Sequence, residues 1–287
     1  YKKAKLDIFA HVSKCGKKIL PKKGKIEWPG KLCLVNNESE YKNEFLNFSF
    51  DKKIIFGQGS DFAPLNTKVA QDGLRFSLGG KEFFAPMYGE YNAVNISAVI
   101  AMARSLNIDW EAIASAVNNF HNAPGRIEFI KEAEKHGFKV IVDYAFEPVA
   151  MQELYKVVKL FNSKKIIHVF GATGGGRDME RRAAMRDFIG KNADICIITN
   201  EDPYDDDPME IINEVARAVS QTGKIENENL FKILDRGEAI KKAIDLAKEN
   251  DLVLVTGKGS EQAIMAKGIL IPWDDREEVR KSLKLKK

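Results

Sequence analysis

What this sequence has little of narrows its class first. Its three cysteines, Cys15, Cys33 and Cys196, are too few and too scattered for a disulfide framework or a cysteine zinc site, which suits a reducing compartment such as the cytoplasm. No apolar run reaches the ~20 residues a bilayer crossing needs, and no signal peptide opens the chain, so membrane insertion is not expected. Charge of one sign is not in excess either. Lys and Arg number 45 against 41 Asp and Glu, and a formal +4 is too mild to expect a nucleic-acid partner. The four histidines have no partner at ligand spacing, and the chain has no internal repeat or low-complexity stretch. Apolar material is plentiful. At 44% of 287 residues it can fill the cores of about two domains. Lysine crowds the start, with Lys2, Lys3, Lys5, Lys14, Lys17, Lys18, Lys22, Lys23, Lys25 and Lys31. A solvated basic face accounts for that run, and an anionic ligand nearby is the sharper alternative.

The chain opens on Tyr1 within what reads as an amphipathic helix over 1–13, carried by Ala4, Ile8 and Val12. A longer protein is therefore expected, with this chain as its C-terminal part. Short apolar runs at 32–35 and 54–56 read as strands. The alternating stretch 68–85 carries Asp72-Gly73 and Gly79-Gly80 as hairpin turns. Helices are expected over 92–105 and 109–119. Asn122-Ala123-Pro124-Gly125 then punctuates the chain, which places a domain boundary between residues 1–123 and 124–287. Beyond it, β-rich runs at 140–142, 166–170, 195–199, 231–234 and 252–255 alternate with helical stretches of about 12–16 residues, the pattern of a parallel, doubly wound α/β sheet.

Such a sheet binds ligands beyond the carboxyl ends of its strands, and the unusual residues of this half follow those ends. Asp143 follows the first strand, residues 171–178 the second, 200–204 the third and 257–261 the fifth. Helix N-termini near them favour a charged ligand. The loop Gly171-Ala172-Thr173-Gly174-Gly175-Gly176-Arg177-Asp178 is not a dinucleotide fingerprint, and a plain tight connection is its bland reading. Arg177 adds a planar fork for a carboxylate or phosphate. Gly257-Lys258-Gly259-Ser260-Glu261 is not a P-loop, since G-x-x-x-x-G-K-[ST] occurs nowhere in the chain; it reads as a place where a carboxylate meets an ammonium. Asp143 could simply cap the next helix, and the acidic stretch 200–208 could be a solvated loop or a cation site.

Taken in order, Tyr1-Lys2-Lys3-Ala4-Lys5-Leu6, Gly89-Glu90-Tyr91-Asn92-Ala93-Val94-Asn95, Pro124-Gly125-Arg126-Ile127-Glu128, Asp143-Tyr144-Ala145 with Pro148, Gly174-Gly175-Gly176-Arg177-Asp178, Gly257-Lys258-Gly259-Ser260-Glu261 and Asp275-Arg276-Glu277 resemble the MurE-type Mur ligases. The resemblance covers essentially the whole chain. It implies a Rossmann-like C-terminal domain preceded by the C-terminal part of a central ATP-binding domain whose P-loop part is missing, so that the chain alone would be inactive toward ATP. The implied reaction uses ATP and Mg²⁺ to activate the carboxylate of UDP-MurNAc-L-Ala-D-Glu as an acyl phosphate, which an amino acid then attacks, in peptidoglycan synthesis. By the same resemblance Lys5, as a carbamate, positions Mg²⁺ and is the catalytic and metal residue. Asn95 reads adenine, Arg126 reaches ATP, and Asp143 holds the ribose. Arg177, Asp202, Tyr204, Gly257 and Glu261 clasp the amino acid. A folylpolyglutamate or cyanophycin-type ligase is the alternative enzyme, and a non-catalytic binding homologue the alternative of another class.

The chain departs from the family pattern at three places. Phe146 and Ser260 stand where histidines are usual, and Glu201-Asp202-Pro203-Tyr204 replaces Asp-Asn-Pro-Arg. The last removes an arginine that meets the far carboxylate of meso-diaminopimelate. L-lysine or a similar diamine is expected instead, with Asp202, Asp205, Asp206 and Asp207 facing its distal ammonium.

Overall fold

The computed structural model describes residues 2–16, 30–176 and 179–286, with the backbone alone for 179–184. Two compact units divide the chain, Tyr1–His121 and Asn122–Lys287.

The first unit begins with helix α1 (Lys2–Lys14), which buries no residue fully but lays Phe9 against Phe45 at 4.7 Å. Strand β1 (Leu32–Asn36), the short helix α2 (Lys42–Leu46) and strand β2 (Lys52–Phe56) follow, with β1 and β2 paired in parallel. Three antiparallel strands come next: β3 (Leu65–Ala70), β4 (Gly73–Leu78) and β5 (Lys81–Ala85). Gly79-Gly80 forms the expected two-residue turn, both at positive φ, the twist that a tight hairpin needs. The other turn is a correction. Ala70 pairs with Gly73, so Gln71-Asp72 make the turn and Gly73 already belongs to β4. Helices α3 (Tyr91–Ser105) and α4 (Trp110–Val117) cover this meander; the Asp109 side chain caps α4 by accepting from the Ala112 amide. Their common core is Leu74, Phe76, Leu78, Phe83, Ile96, Ile100 and Ile113.

The second unit is built on a six-stranded sheet. In chain order it runs β6 (Glu128–Phe129), β7 (Lys139–Asp143), α5 (Pro148–Lys159), β8 (Ile166–Phe170), α6 (Met179–Asn192), β9 (Ile195–Ile198), α7 (Pro208–Ser220), β10 (Leu230–Lys232), α8 (Arg236–Leu246), β11 (Leu252–Thr256), β12 (Ala263–Ala266), β13 (Ile269–Pro272) and α9 (Asp275–Leu285). The sheet order is β10-β9-β8-β11-β7-β6, parallel except for the edge strand β6; β12 and β13 form a separate hairpin. Every residue of β11 is buried, as a parallel strand covered on both faces requires. Helices α5, α6 and α7 pack in succession, while α8 and α9 pack together; the buried side chains of α8 and α9 share one core with β7, β8, β9 and β11. All five apolar runs of this half are strands. The run at 231–234 ends earlier than expected, at Lys232, because Asp235 turns the chain to cap α8.

Candidate functional site

The carboxyl ends of β7, β8, β9 and β11 gather the polar loops of the second unit. Asp143, at the end of β7, is buried and accepts from the Ile127 amide at 2.7 Å and the Ala145 amide at 2.6 Å. It caps no helix, since α5 begins only at Pro148. Instead it ties the 125–127 turn to the strand end. Burial raises its pKa, against the two amide hydrogen bonds that lower it. A Cβ on Gly125 would collide with the Gly259–Ser260 peptide, and one on Gly259 with the Tyr144 amide. Only glycine lets these three loops meet.

The glycine loop after β11 folds its lysine inward. Gly257 and Gly259 both take positive φ, at 106° and 44°, and the Glu261 amide donates to the Lys258 carbonyl at 2.7 Å. The Lys258 side chain is only 2% exposed, and its ammonium donates to both Asp202 oxygens at 2.8 and 2.9 Å and to Glu261 at 2.6 Å. Burial lowers the pKa of this ammonium, but the two carboxylates more than offset it and the pKa rises. Glu261 also accepts from the Tyr144 hydroxyl at 2.6 Å, and Arg126 lies over the Tyr144 ring at 4.3 Å. Burial and the Glu261 bond push the Tyr144 hydroxyl up to about 12. Asp202, Lys258, Glu261, Tyr144 and Arg126 thus form one connected row.

Beneath it lies Glu201, a buried carboxylate accepting from the Thr173 hydroxyl at 3.2 Å and standing under Gly257, where a Cβ would strike it. Burial raises its pKa to about 7. Folding therefore favours its protonated form. The stability this gives is complete below about pH 4.5, the ordinary value, and is lost as pH rises through 7. Glu201→Gln should remove that loss: at about pH 8 the variant's second unit should be more stable than the parent by on the order of 2–3 kcal/mol, with the difference closing toward pH 5. Denaturant melts across pH check this, and parallel curves for the two proteins would refute it.

A second buried pair holds the strand ends. Arg236, 1% exposed, donates to both oxygens of Asp275 at 2.7 Å, to the Thr256 carbonyl at 2.8 Å and to the Asn200 carbonyl at 3.2 Å. The Trp273 indole donates to the same Asp275 at 2.7 Å. Beside it His168 lies in the core, bridging Tyr155 and Thr256 at 2.9 Å each; burial and the Arg236 charge hold its pKa down to about 3, so it is neutral. Its role is structural.

The predicted residues are distributed as follows. Asp143, Arg126, Asp202, Gly257 and Glu261 come together in the second unit. Lys5 lies exposed on α1 and Asn95 exposed on α3, its amide donating to Asn92 at 3.0 Å; both belong to the first unit. Arg177 lies outside the described residues. Tyr204 takes φ 52° and exchanges backbone hydrogen bonds with Met265 and Lys267 of the β12–β13 hairpin. The open acidic face expected around it is narrowed. Asp202 is paired with Lys258, Asp206 accepts from the Gly175 amide at 2.8 Å, and Asp207 caps α7 through the amides of Met209 and Glu210.

Residue reading alone missed Lys258, Glu201 and the Arg236–Asp275 pair. The signal for Lys258 was in view. Its loop reads in the sequence as a place where a carboxylate meets an ammonium, and the ammonium comes from the chain itself. Among the described residues no three His, Cys, Asp or Glu side chains gather as metal ligands, and no helix is long and apolar enough to cross a membrane.

With this geometry in hand, comparison with known families is decisive for residues 125–259, which match the Mur ligase, glutamate ligase domain. Those residues form a Mur ligase, glutamate ligase domain. It is 34% identical, over 90% of its length, to UDP-N-acetylmuramoyl-L-alanyl-D-glutamate--2,6-diaminopimelate ligase of Aquifex aeolicus, and covers 52% of that protein. It is 32% identical over 87% of its length to the UDP-N-acetylmuramyl-tripeptide synthetase of Borreliella burgdorferi, covering 50% of it. The chain thus spans about half the length of these curated relatives. The crystal structure of UDP-N-acetylmuramate-alanine ligase MurC from Thermotoga maritima superposes with a TM-score of 0.65 at 18% identity, over 88% of this chain and 51% of that one, a likeness of fold. The Mur ligase domain match covers the row from Arg126 to Lys258 and ends two residues short of Glu261.

Proposed function

We propose that this chain is the C-terminal part of a MurE-type ligase, with residues 1–123 belonging to the central ATP-binding domain and 124–287 forming the C-terminal domain. Its reaction joins an amino acid to UDP-MurNAc-L-Ala-D-Glu. The carboxylate of that substrate takes the γ-phosphoryl group of ATP and releases ADP; the amino group then attacks the acyl phosphate and expels phosphate as the amide forms. The observation that carries this reading is the row Asp202–Lys258–Glu261–Tyr144–Arg126 at the carboxyl ends of a parallel sheet, where charged groups of both signs can hold a zwitterion. Arg177, Tyr204 and Gly257 complete the amino-acid site in this proposal. Asn95, Arg126 and Asp143 serve ATP. Asp143 fits a ribose only through lone pairs left over from its two amide bonds.

Mg²⁺, when bound, offsets the charge of the phosphates. The described residues do not by themselves form a site for it, because they bring no cluster of ligands together. The contribution we assign to this chain is one charge, Lys5 as a carbamate. The direct test supplies the intact protein with ATP, Mg²⁺, UDP-MurNAc-L-Ala-D-Glu and candidate amino acids. Mass spectrometry should detect the extended peptide together with ADP, and absence of product with every amino acid would overturn the proposal.

On the choice of amino acid, Tyr204 stands where a guanidinium would meet a second carboxylate. We infer a preference for L-lysine or a similar diamine over meso-diaminopimelate. In an equal-concentration competition the parent should favour L-lysine by about 10²-fold, since a carboxylate left without a cation costs a few kcal/mol. Tyr204→Arg should shift product toward meso-diaminopimelate. A parent that favours meso-diaminopimelate, or a variant that shifts nothing, would sink this assignment.

A further inference from the structure

The two carboxylates assigned to the incoming amino acid are already bridged by a cation of the chain's own. Lys258 is among the largest fully buried side chains of the molecule, and its three ammonium contacts are all to Asp202 and Glu261. The three side chains differ in access. Lys258 is 2% exposed, Asp202 15% and Glu261 40%. Asp202 is further satisfied by the Met265 amide at 2.7 Å. Nearby Arg236 is matched by Asp275 and adds no uncompensated charge, and burial favours the neutral form of Glu201 beneath the row, raising its pKa to about 7. The sum over Asp202, Lys258 and Glu261 is a single negative charge, and Glu261 presents it outward.

Resting on the ligase reading above, we propose that Lys258 sets the side-chain specificity of the amino-acid site. Its ammonium cancels Asp202, so the site offers one anionic contact where the sequence alone shows two. Lys258 touches no reacting atom in this proposal; it is a positioning residue that fixes the carboxylates and their net charge. A second ammonium on the substrate therefore gains less than the acidic loop would give if Lys258 were neutral.

The test compares kcat/KM of the intact enzyme for L-lysine and for L-norleucine, which has the same carbon chain without the distal ammonium. Lys258→Met removes one positive charge, leaves both carboxylates uncompensated and should raise the L-lysine to L-norleucine ratio about tenfold. Asp202→Asn removes one negative charge and should lower the ratio. The double variant restores the balance and should return it to within about twofold of the parent. A merely structural lysine would depress both substrates alike in Lys258→Met, leaving that ratio unchanged and the double variant equal to Asp202→Asn, which overturns the proposal. Should Lys258→Met fail to fold, Lys258→Gln, which keeps a polar head without the charge, carries the same test: an unchanged or lowered ratio is the refuting result. A parent enzyme that ligates no amino acid overturns the ligase reading and this proposal with it, whereas ligation with a constant ratio overturns only this one.

Discussion

Asp275→Ala is expected to cost the second unit about 3–5 kcal/mol of stability, because it leaves the Arg236 guanidinium buried without its counter-ion. Burial lowers the affinity of that guanidinium for its proton, yet Asp275 more than reverses this, so the charge persists and needs its partner. The same substitution strips the Trp273 indole of its acceptor. Calorimetric or denaturant melts should show the second unit's midpoint falling by about 10 °C. Arg236→Met should be comparably harmful, since the Thr256 and Asn200 carbonyls lose their donor. The double variant should lose clearly less than the sum of the two single losses, as residues in direct contact do. A loss below about 1 kcal/mol for Asp275→Ala would show that the pair is not holding the strand ends. Function should follow stability here. Asn200 and Thr256 are the last residues before the 201–204 and 257–261 loops, so loosening them displaces both sides of the proposed amino-acid site.

The second large effect concerns the first unit. Lys5→Ala in the intact protein is expected to lower turnover by about 10³-fold or more, the scale on which loss of a metal-directed charge acts. An ammonium repels a cation, so the proposed role needs the lysine amine to have taken up CO₂ as a carbamate. Two further readouts separate this from a structural effect. Labelled bicarbonate should give a carbamate carbon signal in the parent and none from this position in Lys5→Ala, and excess bicarbonate should not rescue the variant. The variant should also fold as the parent does, since Lys5 is exposed on a helix that buries no residue fully. An active Lys5→Ala protein would end the carbamate assignment.

The sequence by itself determined the elements and their order. Runs of β-branched residues separated by amphipathic stretches leave little choice but a parallel sheet, because those strands can be buried only on both faces at once. Ordered motifs such as Pro124-Gly125-Arg126 and Asp143-Tyr144-Ala145 were legible for the same local reason, each being a fixed spacing of residues around a turn. The turn before Gly73 falls one residue earlier than Asp72-Gly73 suggests. Turn residues alone do not set register; pairing of Ala70 with Gly73 does. What only the tertiary structure decided is which charges meet. Lys258 lies 56 residues from Asp202, and Arg236 lies 39 from Asp275, separations across which no periodicity carries information. The acidic loop looked open in sequence because a charge written beside its neighbours shows nothing of the cation that folding brings from another strand end. Burial then decides the rest, since the low-dielectric surroundings of Lys258 hold its ammonium against Asp202 and Glu261, while those of Glu201 favour its neutral form.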